Sequence, residues 1–390
     1  MAQSTKTQHI GLQNSLSGPF VRETVNPFTR SAVIDIGSNS VRLVVFGTVA
    51  NYPIPIFDER SNCQLGADID KTGKLDVDRI VDAIETITRF AAVIKAMGVD
   101  TCYPIATAAV RRASNSDEFT VPAEQILGRR IIVLSQEEEA TYVARGFCTS
   151  ISGASGFFAD LGGGSIEIIE LKKGKIINSV SLNYGHLGNV AEDKVIASMA
   201  SIRWLSKNKY KWLYTSGGSF RALGLAYIGR EKYPVRVIHG TKIDASKALK
   251  ICSDFVHEKP NFAGVPVVRQ STMPMAAKII RSLIKISGVR KIFISGTSVR
   301  DGIISVNSAD TDVKADFLVD ISNEIARSCG DFEELAGSLK RFLKPIIGRI
   351  ARNDARLVEI ACNLAHIGRY EHSDIRGDIA ARYVLGLPVN

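Results

Sequence analysis

Residues 159–168 read ADLGGGSIEI, three consecutive glycines between Asp160 on one side and Ser165 and Glu167 on the other. Apolar runs flank the glycines, at 156–159 and 166–171. A glycine run between two strand-forming segments reads as a tight hairpin turn. Glycine lets backbone N–H groups crowd toward a ligand, so such a turn can form a nest for phosphate oxygens. The same arrangement occurs earlier, at 35–40, DIGSNS. Both stretches read Asp, aliphatic, Gly, two small residues, Ser, with an apolar strand before and an alternating strand after. One such turn can stand empty. Two, with the aspartate in the same place, indicate an internal duplication with the two turns bracketing a cleft.

The rest of the chain fits a duplicated α/β plan. The segment 31–46 reads as strand, turn, strand. Val77, Ile80, Val81, Ile84, Ile87, Phe90, Ala91 and Ile94 are spaced as the apolar face of a helix over 77–97. Residues 102–111 read as a buried strand running into a small-residue loop, 130–135 as a strand, and 136–148 as a helix. The pattern restarts at 156 with strands to 171 and at 175–182, a helix near 190–206 and a strand at 211–215. Beyond 313 the periodicity is helical only. The expected organisation is a loose tail at 1–30, α/β domains at 31–148 and 149–312, and a helical domain at 313–390.

Composition narrows the function. The chain has 390 residues, 45% hydrophobic and 23% charged, enough for several cored domains. No apolar run is long enough to span a membrane, so no membrane partner is expected. The six cysteines include no C-x-x-C pair, which argues for free thiols, a cytoplasmic setting and no zinc site. The net charge of +9 is concentrated: residues 201–300 hold 19 Lys and Arg against four acids. That block attracts a polyanion. It lacks aromatic interleaving and any zinc-finger or RRM pattern, so nucleic acid is not the expected partner.

Four further groups of residues are candidates for chemistry. Asp35 and Asp160, at strand ends beside the turns, can hold a divalent cation. The loops TSGGSFR (215–221) and ISGTSVR (294–300) follow strands and end in Arg221 and Arg300. In LSQEEEATYVARG (134–146), Ser135 and Glu138 fit a capping box and acids suit the first helical turn. Glu139 lies one place further in, on another face, and is the candidate general base. In ATAAVRRA (106–113), Arg111 can fork onto a phosphate.

Taken together these segments resemble the Ppx/GppA phosphatase family of exopolyphosphatases and guanosine pentaphosphate phosphohydrolases. The resemblance rests on DIGSNSVRLVV (35–45), ATAAVRRASN (106–115), EEEATY (137–142), DLGGGSIEI (160–168), TSGGSFRALG (215–224) and SGTSVRDGI (295–303), in that order. It implies an α/β fold with two duplicated actin-like domains, of the ribonuclease H-like, sugar kinase, Hsp70 and actin superfamily. It implies catalytic roles for Glu139 and Arg111, and Mg²⁺ held by Asp160, Glu167 and Asp35. Phosphate cradling falls to Gly37, Ser38, Asn39, Ser40, Gly162, Gly163, Gly164 and Ser165, with Gly217, Gly218 and Ser219 from the third loop. Arg221, Arg269 and Arg300 become candidates for a polyphosphate track. The implied partners are inorganic polyphosphate, or pppGpp and ppGpp, and a second copy in a homodimer.

The end of the chain, LAHIGRYEHSDIRG (364–377), resembles a helical domain related to HD metal phosphohydrolases. Ala365-His366 stands where that superfamily has His-Asp, so His366 and His372 are not expected to bind metal. The expectation is an Mg²⁺-dependent exopolyphosphatase. A pppGpp phosphohydrolase, a sugar kinase and a non-catalytic polyphosphate or (p)ppGpp sensor remain as alternatives.

Overall fold

A computed structural model describes residues 30–49, 52–151, 153–207, 209–257, 262, 264–307, 317–328, 332–369 and 371–386. The tail at 1–29 and the expected boundary at 312/313 lie outside them.

The first half runs β1 (Ser31–Ile36), β2 (Val41–Val49), β3 (Tyr52–Ser61), α1 (Ile69–Thr72), α2 (Val77–Ala96), β4 (Thr101–Ala106), α3 (Ala108–Arg112), α4 (Asp117–Leu127), β5 (Ile132–Val133) and α5 (Gln136–Ser150). The second half runs β6 (Gly156–Leu161), β7 (Ile166–Lys172), β8 (Lys175–Leu182), α6 (Glu192–Ala200), α7 (Arg203–Lys207), β9 (Trp212–Ser216), α8 (Gly218–Arg230), β10 (Thr241–Asp244), α9 (Ala245–Val256), α10 (Val267–Gln270), α11 (Met273–Ser287), β11 (Lys291–Ile294) and α12 (Val299–Asn307). Four helices follow: α13 (Phe317–Ser328), α14 (Phe332–Ile347), α15 (Arg352–Asn363) and α16 (Arg376–Gly386).

The two sheets repeat one topology. The first has the order β3-β2-β1-β4-β5 and the second β8-β7-β6-β9-β11-β10. In each, a hairpin-linked antiparallel trio continues into parallel strands: β1 pairs β4, and β6 pairs β9. The alternating elements produce this plan because a parallel pair needs a helical crossover, whereas a hairpin does not.

Local chemistry explains the elements nearest the cleft. Asp76 caps α2, accepting from Arg79 N–H, and the stripe Ile80, Ala83, Ile87 and Phe90 is buried on one face. The capping box at α5 forms: Ser135 Oγ accepts from Glu138 N–H at 3.1 Å, and Glu138 Oε2 accepts from Ser135 N–H at 2.8 Å. Three sequence expectations change. The strand at 130–135 shrinks to Ile132–Val133. The loop after β4 is a helical turn, α3, because Ala109 and Val110 are small enough or apolar enough to pack inward. The helix at 190–206 splits at Ser201 and Ile202, which close α6 with bonds back to Ala197 and Met199.

Each sheet packs one face on its own core, around Ile34, Leu43, Ile87 and Phe119 in the first half and Phe157, Phe220, Ile251 and Leu283 in the second. A third core lies between the sheets. It joins Val33, Phe46 and Ile105 of the first sheet to Phe158, Ile169, Tyr214 and Phe293 of the second, through Phe147 of α5 and Ile303 of α12. This shared core holds the two halves at a set spacing across the cleft. At its centre, α5 and α12 cross closely enough that a Cβ on Gly302 would stand 1.8 Å from the carbonyl oxygen of Tyr142.

Candidate active site

The duplicated turns are built alike. Gly37 N–H donates to Ser40 O at 3.0 Å, and Gly162 N–H donates to Ser165 O at 3.0 Å. Each turn is then braced by a loop from elsewhere. Gln64 N–H and Gly66 N–H donate to Asn39 O and Ser38 O, at 3.1 and 2.8 Å. His186 N–H and Leu187 N–H donate to Gly162 O and Gly163 O, at 3.1 and 2.9 Å. The second brace is tight: a Cβ on Gly185 would lie 2.4 Å from Gly163 O and 2.5 Å from Gly162 O.

The two hairpins have diverged in what they present. With four-residue turns, the register pairs Asp35 with Arg42 in the first hairpin and Asp160 with Glu167 in the second. One half therefore sets a carboxylate opposite a guanidinium, and the other sets two carboxylates opposite each other. Arg42 continues into an ion pair with Asp58, its Nε donating to Asp58 Oδ1 at 2.7 Å. That pairing raises the Arg42 pKa and lowers that of Asp58 against its own burial.

Glu139 enters from the first turn of α5. Arg111 Nη1, from α3, reaches it at 3.3 Å and also donates to Leu134 O. The Glu139 side chain keeps 29% of its surface open and is otherwise closed in by protein. This desolvation, with the charge of Glu167 next in weight, pushes its pKa up to about 8 against the pull of Arg111. Burial raises Glu167 to about 7, the charge of Asp160 adding to it while Ser165 and Ser181 hydrogen bonds oppose. Ser181 Oγ donates to Glu167 Oε1 at 3.1 Å. Burial also raises Asp160 to about 6, countered chiefly by the charge of Arg221. Glu139, Glu167, Asp160 and Asp35 thus act on one another electrostatically, which places the four carboxylates around one cleft.

The three arginines expected to form a track gather at the same place. Arg300, at the start of α12, pairs with Asp35 across the two halves. Arg221 faces Asp160, and burial brings its pKa down to about 10. Arg269 lies over the third loop, where a Cβ on Gly218 would be 2.7 Å from its Cζ. Gly217, at φ 94°, lets the loop pass beneath Asp160 Oδ1. Ser219 is buried in the first turn of α8.

Sequence reading missed Arg42, Arg60, His186 and Gly185. Arg60 Nε donates to Ser40 Oγ at 2.9 Å, and burial with repulsion from Arg269 and Arg42 lowers its pKa. Arg42 was recoverable, since a four-residue turn at 37–40 puts it opposite Asp35. Gly185 and His186 carry no local signal, because the Gly162 and Gly163 carbonyls they brace lie more than 20 residues away along the chain. Among the described residues no three His, Cys, Asp or Glu side chains converge into a cation cage.

Two duplicated α/β halves, each with its glycine turn at the cleft, define a protein of actin-like fold. The family model described as the Ppx/GppA phosphatase family matches residues 44–309, about two thirds of the chain. The chain belongs to the Ppx/GppA phosphatase family. A guanosine-5'-triphosphate,3'-diphosphate pyrophosphatase of Pseudoalteromonas atlantica is 36% identical over 155 residues, which are 40% of this chain and 31% of that protein. A protein of the same name from Aeromonas hydrophila is 23% identical over 295 residues, 70% of this chain and 58% of its own length. The chain thus spans less than two thirds of either relative. The crystal structure of an exopolyphosphatase from Cytophaga hutchinsonii superposes with a TM-score of 0.64 at 18% identity, covering 74% of this chain and all of that one. At that identity the likeness is one of fold.

Proposed function

We propose that the protein is a phosphoanhydride hydrolase that releases terminal orthophosphate from inorganic polyphosphate. The observation that carries this reading is Glu139: a carboxylate with its pKa raised to about 8, beside Arg111 and among the cleft carboxylates. A base poised near neutrality can take a proton from water attacking phosphorus. Arg111 orients that carboxylate and can bind the terminal phosphate once the phosphate enters. The N–H groups of the two turns offer donors to the non-bridging oxygens. The basic block at 201–300 favours a long polyanion.

Mg²⁺ is the proposed cofactor. Asp160 and Glu167 are opposed across β6 and β7, the charge of Asp160 raises the proton affinity of Glu167, and the pair fits a cation that takes one or two carboxylates plus phosphate oxygens. Bound there, it would neutralise charge on the phosphoanhydride. Asp35, the third expected ligand, is engaged by Arg300.

A second reading, hydrolysis of pppGpp to ppGpp, is favoured by the names of the two relatives. Both are tested by orthophosphate release from long-chain polyphosphate and from pppGpp, each with Mg²⁺ and with EDTA. Mg²⁺-dependent release that is faster from the polymer is expected. Preference for pppGpp would select the second reading, and no release from either would remove the enzyme.

A further inference from the structure

The loop that follows β11, residues 295–298, has the small residues of a phosphate loop, yet each of its N–H groups is already engaged. Ser295 N–H donates to Thr215 O of β9 at 2.8 Å. Thr297 N–H donates to Ser295 Oγ at 3.1 Å, and Ser298 N–H donates to Asp301 Oδ2 at 2.7 Å. Gly296 N–H finds its partner farther off, donating to His239 Nδ1 at 3.0 Å across 57 residues of sequence. With its four amides taken, the loop is built as a bracket rather than as a nest for an anion.

The bond to Gly296 fixes the state of the imidazole. A main-chain amide can only donate, so Nδ1 carries its lone pair and the ring proton sits on Nε2. Burial favours the same neutral ring, lowering the His239 pKa against the pull of the Asp301 carboxylate. The ring is itself held in place. It stands edge-on to Phe293 of β11, centroids 5.7 Å apart, and the next residue, Gly240, donates its N–H to Ile294 O at 3.0 Å. His239 therefore offers one acceptor from a set position beside the sheet.

The bracket leads directly to the cleft. Arg300 is the second residue of α12 and pairs with Asp35 of the other half. The crossing at Gly302 fixes the body of α12. The first turn of a helix lacks intrahelical partners for its N–H groups, so the preceding loop sets where that turn lies. Side chains hold this loop from both neighbours of β11 in the sheet. Ser216 Oγ, at the end of β9, donates to Thr297 O at 2.8 Å, and His239, just before β10, accepts from Gly296.

We propose that His239 is a positioning residue for the cleft: through Gly296 it fixes the loop after β11 and so holds Arg300 in place against Asp35. For an effect on turnover this rests on the hydrolase reading above; the bracket itself does not.

Two measurements on the full chain test it, with His239→Ala and with His239→Asn, whose Oδ1 can accept where Nδ1 did. The first is amide hydrogen exchange over residues 294–301. Loss of one hydrogen bond should speed exchange in His239→Ala by about fivefold, and asparagine should restore most of the protection. The second is kcat/KM for orthophosphate release from tripolyphosphate with Mg²⁺, in a cycle with Arg300→Ala. His239→Ala should lower it by about fivefold and His239→Asn by less. His239→Ala should cost nothing further once Arg300 is gone, because residues acting through one another are not additive. Unchanged exchange in His239→Ala overturns the proposal, as does a wild-type rate in that variant. So do losses that add in the double variant, or an asparagine variant as poor as alanine, since either would make the ring a packing element. A wild-type protein that releases no phosphate would sink the hydrolase reading instead. The same cycle is then read as calorimetric affinity for tripolyphosphate: coupled losses with altered exchange leave the positioning role standing, and unchanged or additive affinities overturn it.

Discussion

At the scale of single residues, Glu139 decides most. Its neighbours Glu167, Asp160 and Asp35 add negative charge, and only Arg111 opposes them. Replacing it by glutamine keeps the shape and removes the base. Turnover should fall by about 10² or more, with circular dichroism unchanged. Near-wild-type turnover in Glu139→Gln would take the residue out of the mechanism. The raised pKa of about 8 also sets the pH profile. Since the base must be ionised, kcat/KM should climb with pH to a plateau above about 8, and added Mg²⁺ should move that limb to lower pH by stabilising the carboxylates.

Stability should run the other way. Glu139, at about 8 when folded, starts from 4.5, so between these values the folded chain holds a proton that the unfolded chain has released. The stabilisation from this group is complete below the lower value and is lost as pH rises through the upper one. Thermal melts should show the Tm of the wild type falling from pH 6 to 9, and Glu139→Gln falling less.

At the scale of elements, the turns depend on their braces. A Cβ on Gly164 would meet nothing within 4 Å, whereas one on Gly185 would press on two carbonyl oxygens of the neighbouring turn. Gly164→Ala should therefore leave the Tm unchanged, since an added methyl there strains nothing. Gly185→Ala should lower the Tm and reduce phosphate release by about 10² through displacement of the Gly162–Ser165 turn, the scale expected when catalytic donors shift by about 1 Å. A wild-type rate in Gly185→Ala would show that the brace does not position the turn. The glycine run and the aspartates were legible at this scale, since a hairpin advertises itself through turn residues between alternating strands. So was the capping box that aims Glu139. The bracing loop was not legible, because nothing in residues 185–187 marks where the chain returns after β8.

At the scale of the whole molecule, the cleft exists because the central core fixes the two sheets around α5 and α12. These helices carry Glu139 and Arg300 at their N-terminal ends and cross where Gly302 meets Tyr142. Backbone stands against backbone there, so neither side can yield cheaply. Gly302→Ala should destabilise the fold by about 3 kcal/mol or more in urea denaturation, at the upper end for overpacked sites. Survivors should also show reduced turnover, since the two helix ends are set by this crossing. An unchanged denaturation midpoint would mean that the crossing is looser than the geometry states.

The chain's own residues determined the duplicated hairpins, the aspartate before each turn, the capped helix that presents Glu139 and the basic character of one segment. These follow from short-range rules: turn chemistry, two- and three-to-four-residue periodicities, and capping. The tertiary structure alone decided that Arg300 meets Asp35, 265 residues away in sequence, that Arg269 lies over Gly218, and that Ser219 and His186 stand unpaired beside one turn. Such contacts arise from how two sheets share a core, and the energy that selects them is spread over packing among residues distant in sequence.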